Sequence, residues 1–223
     1  MGSKIKLTSS DGHEIGAYVS EPKAPFHSAV VVIQEIFGVN SHIRSIADDY
    51  ASQGFWAIAP ALFDRVQPDL QLTYEQPDIA RGRDTAGQIK LDTALLDVAA
   101  AIRHAAQVPG VAKVGVLGFC WGGTLAWLAA TRLNPAAAVG YYGGQIAKYA
   151  AETPTCPVLL HFGAKDPHIG PKEIATIRQA HPGLPTFLYD AGHGFNCDQR
   201  KDYDPPSAAL ARQRTLDFFR AHL

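Results

Sequence analysis

The sequence predicts an α/β fold with a mostly parallel central sheet and helices on both faces. Three observations carry this. Short apolar runs rich in β-branched residues, such as Ala29-Val-Val-Val-Ile-Gln34 and Val114–Phe119, suit strands buried on both faces. Segments with apolar residues at helical spacing lie between them. Regular alternation of the two implies parallel crossovers.

The elements follow in order. Lys4–Ser9 and Glu14–Ser20 read as strands joined by the turn pair Asp11-Gly12, a hairpin signal. After the strand Ala29–Gln34, Asn40 or Ser41 can cap a helix whose Ile43, Ile46, Ala47 and Tyr50 share a face and which ends near Gly54. Phe55–Ala59 is a strand stopped by Pro60, and residues 61–78, of mixed polarity, read as an irregular surface excursion. One long helix is expected from about Asp78 to Gln107, with the stripe Leu91, Leu95, Val98 and Ile102. Val114–Phe119 precedes a helix running through Thr131, and Ala136–Tyr142 and Pro157–Phe162 are further strands. A helix near Pro171–Ala180, a strand near Thr186–Asp190 and a helix from about Ser207 to Ala221 close the chain.

With 223 residues and no dividing linker, a single domain over 1–223 is expected. Twenty basic and 21 acidic residues give a formal charge of −1, so no cationic field for nucleic acid or an anionic membrane is expected. The basic pairs Arg81/Arg83 and Arg200/Lys201 are too short to alter that. No apolar run approaches the roughly 20 residues of a membrane helix, and MGSKIKLTSSDG lacks a signal-peptide core. Lys6 stands where a myristoylation signal needs Ser or Thr. Cys120, Cys156 and Cys197 are odd in number and widely spaced, as free thiols of a reducing compartment are. The expectation is a soluble cytoplasmic protein.

The segment richest in chemistry is Gly118-Phe119-Cys120-Trp121-Gly122, a G-x-nucleophile-x-G pattern between an expected strand and an expected helix. Such a turn needs small neighbours and lifts its central side chain above the sheet edge. A helix N-terminus there favours a thiolate, and the Trp121 N–H can donate to an oxyanion. The bland alternative is a buried structural cysteine beside packing glycines. A nucleophile needs a base, and the base an orienting carboxylate. Asp166 follows the apolar strand at Leu159-Leu-His-Phe, and His193 follows the strand ending Leu188-Tyr-Asp. The chain order Cys120, Asp166, His193 is that of the α/β-hydrolase nucleophile, acid and histidine. Asp190 competes for the acid role but lies too close to His193 in sequence, and His168 is a weaker rival base. His161, inside an apolar strand, reads as a packed core residue. His193 and Cys197 alone supply too few ligands for a metal site, and no metal or organic cofactor is expected.

These residues resemble the dienelactone hydrolases (carboxymethylenebutenolidases). The pieces that match are Gln34-Glu-Ile-Phe-Gly-Val-Asn40, Gly54-Phe-Trp-Ala-Ile-Ala-Pro60, Gly115–Gly123, Ala138-Val-Gly-Tyr-Tyr-Gly143 and Ala191-Gly-His-Gly-Phe195, in family order across nearly the whole chain. The resemblance implies Cys120 as nucleophile, His193 as base and Asp166 as its partner. It adds Glu35, which would share a proton with Cys120 and help ionise it once substrate binds; a free cysteine is mostly protonated at neutral pH. It implies the backbone N–H groups of Ile36 and Trp121 as oxyanion donors, and the opening of a carboxylated enol lactone by a monomer. Arginines would hold the substrate carboxylate. Well-studied members carry one four residues after the histidine, where this chain has Cys197; Arg200 lies just beyond. Arg81 and Arg83 are the candidates for the other. Phe37, Trp121 and Tyr142 are expected to line the pocket. A broader ester or thioester hydrolase, or a redox-responsive thiol or ligand-binding protein, are the alternative readings.

Overall fold

The computed structural model describes residues 2–223. Eight strands form one sheet in the order β1-β2-β4-β3-β5-β6-β7-β8. The hairpin β1 (Ser3–Thr8) and β2 (Glu14–Ser20) is antiparallel at one edge, with Gly12 at φ +83° in its turn. β2 also runs antiparallel to β4 (Trp56–Pro60). β3 (Ser28–Ile33), β5 (Lys113–Phe119), β6 (Ala137–Tyr141), β7 (Val158–Gly163) and β8 (Thr186–Tyr189) complete a parallel set with β4. Every residue of β3, β4, β6 and β7 is buried, which is why these stretches read as unbroken apolar runs.

From β3 the chain crosses outward through α1 (Ser41–Ser52) to β4; from β5 it crosses the other way through α4 (Trp121–Arg132) to β6. Right-handed crossovers in opposite directions place their helices on opposite faces. α6 (Pro205–His222) joins α1, with Arg212 Nε donating to Asp49 Oδ2 at 2.7 Å and Phe219 against Tyr50. α3 (Leu91–Ala106) packs beside α4 on the other face, and α5 (Pro171–Ala180) links β7 to β8. The order reverses between β3 and β5, so a crevice opens beyond their carboxyl ends, where such sheets bind ligands.

Two expectations need correction. The single helix over 78–107 is two: α2 (Gln76–Gln88) and α3. Ile89 takes an extended backbone (φ −102°, ψ +114°) that buries its side chain, and Lys90, also extended, restarts the helix. The break frees α2 to follow a direction of its own. The stretch 61–78 is irregular but not superficial, since Leu62, Phe63, Leu70 and Leu72 are all buried. Gln34 Oε1 accepts the Leu62 N–H at 3.1 Å, the Leu72 N–H donates to Phe37 O at 2.9 Å, and Arg65 forks onto buried Asp97 of α3 with two 2.7 Å bonds. Asn40 caps α1 as expected, accepting from the Ile43 N–H at 3.2 Å.

Candidate active site

Cys120 sits between β5 and α4 with φ +53° and ψ −114°, a left-handed conformation that an L residue adopts only when its surroundings impose it. The glycines beside it leave no alternative. A Cβ on Gly118 would stand 1.9 Å from Gly122 O, and one on Gly122 would stand 2.4 Å from Gln34 O. The Cys120 N–H donates to Tyr141 O at 2.9 Å, and its carbonyl accepts from the Thr124 N–H. The strand-to-helix turn thus pushes the thiol out beyond the sheet edge.

The β7 and β8 loops bring two partners to it. His193 Nε2 lies 3.2 Å from Cys120 Sγ, and His193 Nδ1 lies 2.6 Å from Asp166 Oδ2. The Asp166 side chain is wholly buried, and its second oxygen accepts the His168 N–H at 2.8 Å. Burial alone would lower the His193 pKa, but the Cys120 charge and the Asp166 hydrogen bond outweigh it and raise it to about 10. An imidazolium is therefore the partner that a charged Cys120 sulfur selects. Asp190 is directed away: it is exposed and paired with Lys165 at 2.9 Å. His161 is buried between Tyr189 Oη (2.8 Å) and Thr215 Oγ1 (3.0 Å), and burial pushes its pKa down to about 3. His168 does reach the site, edge-on to His193 at 5.3 Å.

A pocket of about 520 Å³ opens over Cys120. Cys120, His193, Ile36 and Trp121 face it together, with Phe37, Arg83, His168 and Arg200 around them. α2 forms one wall with Ile79, Arg83 and Ala86, which recur at helical spacing.

Three expected placements change. Arg81 is two residues from Arg83, on the other side of α2, where its Nη2 donates to Gln67 Oε1 at 2.8 Å; it does not line the pocket. Tyr142 is fully buried against His193, ring centroids 5.1 Å apart, and supports the imidazole from behind instead of facing the pocket. Glu35 is fully buried, but its contacts are with Arg200 (Nη1 to Oε1, 3.3 Å) and Tyr74 (Oη to Oε2, 3.2 Å) instead of Cys120. A guanidinium attracts a buried carboxylate more strongly than a thiol does. Arg200 also lies 5.9 Å from the ring centres of both Phe37 and Tyr74, and Gly194, at φ +77°, leaves it room. Tyr74 carried no signal in the sequence, because it reaches Glu35 only through the fold of the 61–78 stretch. Arg83 could have been separated from Arg81 by helical phase.

Residues 15–223 match the model of the dienelactone hydrolase family. The chain belongs to this family. It is 35% identical to a carboxymethylenebutenolidase of Pseudomonas putida over 96% of this chain and 94% of the other. The carboxymethylenebutenolidase 1 of Cupriavidus pinatubonensis is 31% identical over 96% and 94%. A candidate dienelactone hydrolase from Klebsiella pneumoniae, solved by crystallography, superposes with a TM-score of 0.83 at 31% identity, covering 98% of this chain and 99% of that one. As a member of this family the chain is a hydrolase of esters or lactones with an α/β-hydrolase fold. No helix among its described residues is long and apolar enough to cross a membrane.

Proposed function

We propose that this dienelactone hydrolase family member opens a carboxylated enol lactone by nucleophilic catalysis at Cys120, through a thioester acyl-enzyme. The observation that carries the reading is the continuous chain from Cys120 Sγ to His193 (3.2 Å) to Asp166 (2.6 Å) at the floor of the pocket. Sulfur attacks the lactone carbonyl, and the backbone N–H groups of Ile36 and Trp121, on the same pocket wall, receive the oxyanion. The ring C–O bond breaks, the enolate leaves and takes up a proton, and the acyl group stays on sulfur. His193 then removes a proton from water, the hydroxide attacks the thioester, and the C–S bond breaks to release the acid. One water is consumed per lactone. An enolate is a good leaving group and needs little acid assistance, which suits a thiol nucleophile.

Arg200 gives this reading its substrate preference. It is mostly buried, stacked on two aromatic rings and paired with Glu35. A substrate carboxylate entering the pocket competes with Glu35 for the guanidinium. Released, Glu35 can turn towards Cys120 and take part in ionising it. Arg83, on α2, offers a second positive charge at the mouth.

The test is turnover of dienelactone beside p-nitrophenyl acetate. Cys120→Ala should lose at least about 10³-fold in kcat on both without loss of fold. The lactone should be preferred by the unaltered protein. Acetate turnover without lactone turnover would replace this reading with a broader esterase, and full activity in Cys120→Ala would end it.

A further inference from the structure

A second group of reactive side chains lies outside the lining of the pocket. Glu35, His42 and Cys197 come from the segment after β3, the first turn of α1 and the loop after His193, and all three are buried. One ligand-type atom from each, an oxygen, a ring nitrogen and a sulfur, falls within 4.8 Å of the others.

The histidine is the informative member. Its Nδ1 lies 3.1 Å from Asp198 Oδ1, and that carboxylate is largely exposed. Nδ1 therefore carries the proton and faces outward, which leaves Nε2 with a lone pair facing inward, near the rings of Tyr74 and Phe119. Nε2 is buried and has no hydrogen-bond partner among the described residues. Leaving a buried polar atom unpaired is costly to the fold. A carboxylate that fixes one imidazole nitrogen so that the other is presented as a lone pair is the arrangement metal-binding histidines have. The Tyr142 hydroxyl is also buried and has no hydrogen-bond partner among the described residues.

We propose that Cys197 Sγ, His42 Nε2 and one Glu35 oxygen form a binding site for a borderline-soft divalent cation of the zinc class. A sulfur–nitrogen–oxygen donor set favours such an ion over magnesium or calcium. On binding, the Cys197 S–H proton leaves to solvent and a sulfur–metal bond takes its place. Thiolate and carboxylate together then neutralise the ion, with no change of oxidation state. Bonds of about 2.0–2.3 Å set ligand separations near 3.5 Å, so the donors must close by about 1 Å. Cys197 stands in a loop of short turns, bonded through Gly194 O and the Arg200 N–H, where a shift of that size is local. A cleft of about 310 Å³ lined by His42, Asn196 and Asp198 reaches the outer, Nδ1 side of the imidazole from the surface. Arg200, which holds Glu35 in this structure, is the competing cation. This proposal does not depend on the reaction proposed above.

The test is titration of the full chain with cobalt(II) alone, followed by the thiolate-to-cobalt charge-transfer band and the visible d–d bands. The proposal expects a band saturating near one equivalent, displaced by zinc, in both the unaltered protein and Cys120→Ala. It expects the band to be lost in Cys197→Ser, and the affinity to fall about tenfold or more in His42→Gln and in Asp198→Asn. The two latter variants carry the test if Cys197→Ser does not fold. A band that survives Cys197→Ser and disappears with Cys120→Ala would move the ion to the active-site thiol and overturn the site. Absence of any band in the unaltered protein would also overturn it, leaving water to satisfy His42.

Discussion

The two walls of the pocket are built on different foundations. One wall carries Cys120, Asp166 and His193, each standing just past the end of a parallel strand, so that their separations are fixed by the pitch and order of the sheet. The other carries Arg83 and Arg200, which extend from α2 and from the loop after β8 and depend on side-chain contacts for their positions. The difference predicts different failures. Disturbing the strands and the turn that hold up the first wall should appear in the stability of the whole protein, and damage to the second wall in substrate affinity with the fold intact.

The strands beneath the first wall supply the largest expected effect. His161 lies within β7, two positions before its end, fully buried, and burial depresses its pKa to about 3. The unfolded chain binds a proton there below about pH 6.5 and the folded one does not, so the neutral histidine stabilises the fold above that pH. That contribution is lost as pH falls from about 6.5 towards 3, at about 1.4 kcal/mol per pH unit and about 5 kcal/mol in total. His161→Phe should lower stability at neutral pH, because its bonds to Tyr189 and Thr215 disappear, yet flatten the fall between about pH 6 and 4. Urea melts at several pH values give the slope; an unchanged slope would show that the strand tolerates the charge.

The elbow comes next. An added methyl at Gly122 meets the backbone oxygens of Gln34 and Ile33 at 2.4 and 2.5 Å, and neither can swing aside. Gly122→Ala should therefore destabilise by about 3 kcal/mol, visible in thermal melting, besides displacing Cys120 and the neighbouring Trp121 amide. Normal stability with lost activity would mean that the first wall, too, fails locally, and the contrast between the walls would break.

Affinity should dominate at the second wall. Arg200→Gln removes the buried charge stacked on Phe37 and Tyr74, and should raise KM for a carboxylated lactone about 10–100-fold while p-nitrophenyl acetate turnover changes little. Steady-state kinetics on both substrates separate the cases. Equal losses on both would mean that Arg200 acts through Glu35 and not on the substrate.

The same contrast explains what was legible in the sequence. The parallel sheet, the hairpin and the Cys120–Asp166–His193 order were readable, because short-range turn chemistry and strand order place those residues. The division between α2 and α3 was not, since Ile89 leaves the helix to bury its own side chain in a core that no local spacing describes. Nor was the pairing of Glu35 with Arg200 and Tyr74, which joins residues 165 and 39 positions apart. Cys197 stood out as a missing arginine and as one of only two possible metal ligands with His193; its proximity to His42 joins a helix start to a distant loop that share no motif.

Arg83 and Arg81 provide the finest discrimination. They belong to the same helix and are both exposed, and composition cannot separate them. Their helical phases can: two residues turn the helix by about 200°, which points Arg83 at the pocket and Arg81 at Gln67. An exposed charge acting on a substrate through water contributes about 1 kcal/mol or less, so Arg83→Ala should raise KM for the lactone about two- to fivefold and should do so less at high salt. Arg81→Ala should stay within about twofold of the unaltered protein at any ionic strength. A larger effect at Arg81 than at Arg83 would mean that α2 rotates when substrate binds, and the second wall would then be formed by the substrate and not by the fold.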